Sequence, residues 1–368
     1  MKEKIFLSPS RYIQGTDILK DIPDYVSRLG TKLLLLTSQG NHRRLQETYH
    51  LISEREDFST LIIDFDGECT MAEIERLNQI CRENDIEVIA GIGGGKVIDT
   101  AKAVSHFMNL GLVIVPTTAS SDAPCSALSI IYKEDGGLDQ LLWLNANPDI
   151  VFVDVQIIAN APAHLLAVGM GDAMATYFEM KECYQKDADN FCGGRITLAA
   201  KAIAKECYRT LKEEGYEAYL SAQEHCVTPA LEHVIEANTL LSGIGFESGG
   251  ICAAHPINNG IAELPETHAY MHGEKVAFSL ICQLILAGET RETIHEIMAF
   301  FSGIGLPITL KELGIETLTT QQLELIGTIA AGDPCISNLP LRADAKAIED
   351  AVILADRMGR AFNKTISK

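Results

Sequence analysis

The chain has 368 residues, 47% hydrophobic and 22% charged, so it is long enough for two domains with separate cores and too apolar to be disordered. Its 50 acidic side chains outnumber the 30 lysines and arginines, which gives a formal net charge of −20. A surface this acidic repels nucleic acid and anionic lipid, so neither is expected as a partner.

Ten cysteines are spread along the chain without a Cys-x-x-Cys pair. This usage is typical of reduced, mostly buried thiols in a cytoplasmic protein. The first residues lack the apolar core of a secretory signal, and no apolar run approaches the length that spans a bilayer. The sequence therefore predicts a cytoplasmic protein that has no membrane partner.

Apolar runs of strand length alternate with helical patterns through the first 160 residues. One helical face is formed by apolar residues between Cys69 and Asn84. The alternation predicts a mostly parallel sheet with helices on both faces, and ligands of such folds lie beyond the carboxyl ends of the strands. The predicted strands are residues 32–37, 61–64, 86–92, 112–116 and 150–154.

Three consecutive glycines, Gly93 to Gly95, end the third predicted strand, and a helical pattern follows them. Backbone N–H groups at such a helix start can bind an anion closely because glycine has no Cβ, and Lys96 adds a full positive charge. The order of residues matches neither Gly-x-Gly-x-x-Gly nor the P-loop. A tight connection without a ligand explains the glycines equally well, so phosphate binding stays open on the residues alone.

Short hydroxyl side chains and one carboxylate are concentrated in residues 117–126, directly after the strand at 112–116. Such a run often forms only a turn with a local cap. Its position at a strand end favours contact with a ligand.

The pattern changes at Asn160-Ala161-Pro162, where a cap residue and a proline predict the start of a helix. From there on the patterns are helical, without a convincing pair of strands. We therefore predict an α/β dinucleotide-binding domain at residues 1–160 and an all-α metal- and substrate-binding domain at 161–368. The cleft between two such domains is the expected site.

Three polar residues of the second half, Asp172, His255 and His272, lie in apolar, glycine-marked contexts. Asp172 is expected on an inward helix face, where a carboxylate needs a partner. One Asp and two imidazoles with an open position would make a catalytic zinc site. Each residue is more simply explained as a satisfied core or cap group, because the long separations between the three match no local metal signature.

Two neighbours complicate this hypothesis. His268 and His272 are four residues apart and would form a rival pair if they shared a helix face. Glu274 is interpreted either as a partner of a metal ligand or as half of an ion pair with Lys275.

Four motifs carry a resemblance to a known family. The chain resembles the glycerol dehydrogenases within the iron-containing alcohol dehydrogenase superfamily, from Tyr12 to the stretch around Thr309 and beyond. The motifs are residues 93–102 (GGGKVIDTAK), 121–128 (SDAPCSAL), 246–250 (FESGG) and 272–278 (HGEKVAF).

This resemblance implies a dehydroquinate synthase-like fold, with an α/β nucleotide domain followed by a helical domain. It further implies NAD-linked oxidation of glycerol and related 1,2-diols to dihydroxyacetone at a divalent metal. Zinc is the usual ion in this branch, with Fe²⁺ or another divalent ion as the alternative. A homo-oligomer, an octamer on the family pattern, and a small polyol substrate are the implied partners.

Residue by residue, the resemblance implies metal ligands, cofactor contacts and a substrate contact. The metal ligands would be Asp172, His255 and His272, and both His255 and Asp122 would reach the substrate. These four are the implied catalytic residues. The positions implied to bind the cofactor are Gly94, Gly95, Lys96, Asp99, Thr117, Thr118, Ser120, Ser126, Leu128 and Tyr132.

Two positions depart from the family pattern. Ser38 replaces an Asp that would hold the adenosine ribose and repel a 2′-phosphate, so NADP stays open beside NAD. The basic residues 42–44 follow closely and would neutralise such a phosphate, although a basic surface helix is an equal explanation. Asn258 replaces a histidine, and an amide cannot carry a proton near neutral pH.

Two other functions stay open on the sequence. The first is an NAD(P)H-dependent reductase of 2-oxo acids or α-diketones on the same scaffold, which the departures at Ser38 and Asn258 keep open. The second is a non-catalytic protein that binds nucleotide and metal, which the complete set of three metal ligands disfavours.

Overall fold

The computed structural model describes residues 2–341 and 343–366. These residues divide into two compact units. The sheet unit comprises residues 7–161 and 225–227, and the helical unit comprises residues 2–6, 162–224 and the described residues from 228 onward.

The sheet unit contains eight strands, of which six form one parallel sheet in the order β1-β8-β5-β4-β2-β3. β6 and β7 form a separate antiparallel hairpin. The strands are β1 Arg11–Gly15, β2 Lys32–Thr37, β3 Ser59–Asp64, β4 Val88–Gly93, β5 Gly111–Pro116, β6 Leu128–Tyr132, β7 Leu138–Trp143 and β8 Ile150–Asp154.

All five predicted strands are present, and the prediction of a mostly parallel sheet is confirmed. β4 and β8 are buried along their whole length, because their apolar side chains pack on both faces of the sheet. The sequence did not predict β1, β6 or β7. β7 is almost entirely exposed, so its residues carry no apolar alternation that would mark a strand.

Six helices accompany the strands of the sheet unit. The sequence predicted the helix that ends near Asn84 and the helix after the glycine turn, but not the two short helices at residues 22–26 and 46–53. The helix directly after β8 was not predicted either, and the Asp154 side chain caps its first turn. The helices are α1 Ile22–Val26, α2 Gln39–Arg44, α3 Gln46–Ser53, α4 Met71–Glu83, α5 Gly95–Met108 and α6 Val155–Ala159.

The described residues of the helical unit contain no β-strand, as the sequence predicted. A π-helical turn at Ala237–Leu241 joins two of the helices. The helices are α7 Ala163–Gln185, α8 Leu198–Gln223, α9 Pro229–Glu236, α10 Ser242–Gly249, α11 Ala254–Ala262, α12 His272–Leu286, α13 Arg291–Gly303, α14 Thr320–Gly332 and α15 Ala345–Ile366.

None of the ten cysteines forms a disulfide, and seven are buried. Within residues 2–341 and 343–366, no helix combines the length and the apolar character required to cross a bilayer.

Candidate metal centre and nucleotide loop

Three helices of the helical unit bring the candidate metal ligands together. Asp172 lies within α7, His255 in the first turn of α11, and His272 is the first residue of α12. One potential ligand atom from each side chain lies within 4.8 Å of the other two. Asp172 Oδ1 is 3.5 Å from Nε2 of each histidine. The three side chains therefore converge on one point.

The donor set fits a divalent cation. Asp172 is only 2% exposed, and its Oδ1 accepts no hydrogen bond from any described residue. A buried carboxylate oxygen without a hydrogen bond is costly, and a cation between the three side chains would pair with it. One carboxylate and two imidazoles leave a coordination position for a substrate, as catalytic zinc sites require.

The charges within this cluster agree with a cation site. Burial alone would raise the pKa of Asp172, but the His272 and His255 side chains outweigh it and hold that pKa below its usual value. Burial alone would lower the pKa of His255, but Glu179 and Asp172 raise it well above its usual value. A metal ion would take over the positive charge of this imidazolium and release its proton.

Two glycines allow α7 and α12 to approach closely beside the ligands. A Cβ on Gly273 would lie 2.0 Å from the carbonyl oxygen of Val168, and one on Gly171 would lie 2.5 Å from the carbonyl oxygen of Gly273. Each glycine is the direct neighbour of a ligand, Asp172 or His272. The close contact of the two backbones therefore sets the distance between these side chains.

Side chains from two other helices hold the start of α11. Glu179 Oε1 accepts hydrogen bonds from the backbone N–H groups of Cys252 and His255, and Glu179 Oε2 lies 2.6 Å from His255 Nδ1. Gln283 Oε1 accepts from two further N–H groups at this helix start, 2.8 Å away each. Glu179 thus fixes the ring of His255 with Nε2 directed toward Asp172.

Sequence reasoning missed Glu179 and Gln283. Both are buried polar residues, and Glu179 lies two helical turns after Asp172 on the same side of α7. That spacing was the available signal.

The proposed rival pair of histidines is wrong. His268 ends the short 3₁₀ helix Pro265–Thr267, whereas His272 begins α12, so the two do not share a helix face. Glu274 accepts a hydrogen bond from the backbone N–H of Met271 at 2.7 Å and lies 3.4 Å from His164 Nε2. It acts as a cap that starts the helix of His272.

The glycines around the turn between β4 and α5 serve two purposes: some let the helix pack on the strand, and others leave space for a ligand at the helix start. A Cβ on Gly91 or Gly93 would lie 2.6 Å or 2.7 Å from side-chain atoms of α5, so these two glycines let the helix pack on the strand. A Cβ on Gly95 would meet no described atom within 4 Å, and one on Gly94 would meet only Thr118 Oγ1, at 4.0 Å. The start of α5, which has no side-chain cap, is thus open to an anion.

Lys96, the cation next to this turn, is largely exposed and forms an ion pair of 2.6 Å with Glu68. Glu68 was not identified from the sequence, because it lies in the irregular segment between β3 and α4. An anion at the glycine turn would compete with Glu68 for the ammonium group.

A fully buried lysine holds the segment after β5. Lys102 Nζ donates hydrogen bonds to the carbonyl oxygens of Ala123 and Leu128, at 2.6 Å and 2.8 Å, and to Ser126 Oγ at 3.2 Å. Asp99, one turn earlier in α5, is buried, and burial raises its pKa to about 7 although Lys102 opposes this. Two predicted cofactor residues, Asp99 and Ser126, therefore lie in buried contacts.

The other predicted residues of this segment lie close to the glycine turn or in the hairpin. The Thr117 backbone N–H donates to the carbonyl oxygen of Gly93 at 3.0 Å. Thr118 Oγ1 lies 3.1 Å from Ser120 Oγ, and Asp122 is half-buried in the same bend. Tyr132 ends β6, and burial raises its pKa to about 12.

Ser38 lies at the carboxyl end of β2, where the resemblance expects an acidic residue. Its Oγ accepts a hydrogen bond from the backbone N–H of Asn41 and caps α2. Of the basic residues that follow, His42 Nδ1 lies 2.7 Å from Asp64, and Arg44 donates to the side chain of Asn41. Both therefore have partners within the sheet unit.

Comparison with known proteins gives one consistent result. Residues 9–155 match the iron-containing alcohol dehydrogenase family. The chain is 44% identical to a glycerol dehydrogenase of Escherichia coli O6:H1 over 98% of both chains, and 44% identical to a glycerol dehydrogenase of Thermotoga maritima over 96% of both. The crystal structure of glycerol dehydrogenase from Schizosaccharomyces pombe has a TM-score of 0.95 and 35% identity, and the match covers 100% of this chain and 94% of that one.

Proposed function

Because this chain belongs to the iron-containing alcohol dehydrogenase family, as its motifs suggested, we propose that it is an NAD-linked, metal-dependent polyol dehydrogenase. Its proposed substrates are glycerol and related 1,2-diols, and glycerol would yield dihydroxyacetone. The observation that supports this most is the buried Asp172 Oδ1, which lacks a hydrogen bond and faces two imidazole nitrogens. The similar proteins are named glycerol dehydrogenases, which supports a polyol as the substrate.

Asp172, His255 and His272 are the proposed ligands of this ion, which we take to be zinc, with Fe²⁺ or another divalent ion as the alternative. When bound, such an ion supplies Lewis-acid stabilisation of negative charge on the substrate oxygen. Glu179 holds His255 so that its Nε2 faces the ion. In the overall reaction the carbon loses a hydride to the nicotinamide, and the hydroxyl proton leaves to solvent.

The sheet unit is proposed to bind the cofactor. The open N–H groups at Gly94 and Gly95 would bind the pyrophosphate, with the charge of Lys96 beside them. Lys102 would keep the segment from Thr117 to Leu128 in the shape needed for its contacts with the cofactor. Asp122, in that segment, would accept a hydrogen bond from the second hydroxyl of a diol, which favours diols over simple alcohols.

NAD is the proposed cofactor, with weaker discrimination against NADP than a carboxylate at Ser38 would provide. The contact of His42 Nδ1 with Asp64 and the hydrogen bond of Arg44 to Asn41 support NAD, because these two side chains already have partners. A homo-oligomer, an octamer on the family pattern, and a cytoplasmic location complete the proposal. Light scattering of the purified protein tests the subunit count.

A spectrophotometric screen tests this proposal. Glycerol, propane-1,2-diol, butane-2,3-diol and dihydroxyacetone are assayed with NAD(H) and NADP(H), with and without a chelator. We expect oxidation of glycerol with NAD, loss of activity after chelation, and recovery on adding zinc. Faster reduction of 2-oxo acids or α-diketones than oxidation of any diol would support the reductase alternative instead. Cofactor binding without turnover would support the non-catalytic one.

A further inference from the structure

Asn258 lies one helical turn after His255 in α11 and is only 3% exposed. Its side-chain nitrogen lies 3.4 Å from His272 Nδ1 and 3.4 Å from Asn259 Oδ1. Its side-chain oxygen is buried and accepts no hydrogen bond from any described residue. Buried amide oxygens normally have a donor, so this orientation leaves one of the two polar ends unsatisfied.

The contact with His272 decides which nitrogen of that ring carries the proton. If the Asn258 nitrogen donates to Nδ1, Nδ1 must be unprotonated, and the proton of the neutral ring is then on Nε2. Nε2 is the atom that faces Asp172 Oδ1, 3.5 Å away. A proton on Nε2 occupies the lone pair that a metal ion needs.

The opposite orientation of the amide removes this conflict. Oxygen and nitrogen of an Asn side chain are nearly equal in size, so a half turn about the last bond exchanges them without moving the packed residue. Asn258 Oδ1 would then accept the proton of His272 Nδ1, and Nε2 would be available as a ligand. The exposed neighbour Asn259 can rotate to follow the exchange.

We infer that Asn258 is a positioning residue of the metal centre, which turns its amide oxygen to His272 Nδ1 and thereby fixes the tautomer that binds the ion. The inference rests on the proposed function, because it assumes that His272 is a ligand. It assigns a role to the position where this chain departs from the family's histidine.

The two histidines are then supported unequally. His255 is held by the charged, fully buried Glu179 at 2.6 Å and is 16% exposed, whereas His272 has a neutral amide at 3.4 Å and is 48% exposed. A charged acceptor holds an imidazole more firmly than an amide does. His272 would therefore be the less firmly held of the two histidine ligands.

Zinc affinity of the full-length chain tests the inference, measured by competition with a chromophoric chelator. Asn258→Leu keeps the size but removes the acceptor, and we expect affinity to fall by about 10- to 100-fold. Asn258→Asp retains an oxygen toward His272 and should bind zinc at least as tightly as the wild type. The matched control Asn259→Ala removes the adjacent, exposed amide and should bind zinc as the wild type does.

Unchanged affinity in Asn258→Leu overturns the inference. So does an equal loss in Asn258→Leu and Asn258→Asp, because an acceptor would then not be what matters. His255→Ala separates this failure from that of the metal site: if it too binds zinc like the wild type, the proposed site is wrong.

Thermal melting in the presence of chelator shows whether Asn258→Leu folds. If it does not, a second measurement on the wild type tests the inference. The ¹⁵N chemical shifts of labelled histidine in the zinc-loaded wild type, assigned with His272→Gln, report the tautomer of His272. We expect the proton on Nδ1. A proton on Nε2 contradicts the inference.

Discussion

The candidate metal centre of the helical unit and the glycine turn of the sheet unit are built in opposite ways. The candidate metal centre uses three side chains from three helices, held by buried partners such as Glu179. The glycine turn is one continuous segment that offers backbone N–H groups and has open space at Gly95. A side-chain site depends on how distant elements pack, whereas a backbone site depends mainly on local sequence. Substitutions should therefore affect the two regions differently.

The largest effect is expected from His272→Ala. Loss of this ligand should remove the metal, and the several kcal/mol that a Lewis acid supplies correspond to a drop in kcat/KM of roughly a thousandfold. Thermal melting in the presence of chelator should be nearly unchanged, because the side chain is half-exposed. His268→Ala, a histidine outside α12, is the matched control and should retain zinc and activity. Full activity of metal-free His272→Ala would refute the site.

Gly273→Ala should damage the metal centre through packing alone. The added methyl group would lie 2.0 Å from the carbonyl oxygen of Val168, so α7 and α12 must separate. We expect a loss of about 1–3 kcal/mol in the free energy of unfolding, together with weaker zinc binding. Gly332→Ala, where a Cβ meets no described atom within 4 Å, is the control for an alanine in a helix. Equal stability of the two variants would contradict the close contact.

Gly95→Ala tests the opposite behaviour in the sheet unit. No described atom lies within 4 Å of the added methyl group, so the melting temperature should not fall. The methyl group would, however, occupy space that the pyrophosphate needs, and the KM for NAD should rise by about tenfold, or ~1.4 kcal/mol. Zinc affinity should be unchanged. A lower melting temperature without any change in KM would mean that the turn serves packing only.

The smallest effect is expected from Ser38→Asp. Aspartate also caps helices well, so α2 should be preserved. The added charge should increase the preference for NAD over NADP by about fivefold, equivalent to ~1 kcal/mol for a partly screened charge. Ser38→Asn keeps the shape and the cap without the charge and is the matched control. Equal cofactor ratios in both variants would show that residue 38 does not contact the ribose.

The sequence predicted the sheet better than the site. Buried parallel strands such as β4 are continuous apolar runs, so they are visible without the structure. Among the metal ligands, only the expected burial of Asp172 could be derived from its neighbours. The grouping with His255 and His272 was only one open hypothesis on the residues, and the family resemblance is what favoured it, because no spacing in the sequence encodes the crossing of three helices.

Apart from the helical spacing of Glu179 from Asp172, sequence patterns gave no signal for the buried polar side chains that support the two regions. Glu179 and Gln283 contact α11 from other helices, and Lys102 is buried among carbonyl oxygens of a distant segment. A charged residue at a helical position is usually exposed, so its burial appears only when the packing is known. The four-residue spacing of His268 and His272 also misled, because a turn between them ends one helix before the next begins.

The central claim is that a divalent ion bound by the helical unit stabilises charge on a polyol oxygen during hydride transfer. Anomalous diffraction from crystals of the active enzyme, with elemental analysis of the same preparation, tests it most directly. The account predicts one ion per chain in contact with Asp172, His255 and His272. Enzyme that oxidises glycerol at full rate without an ion at these three side chains would contradict it.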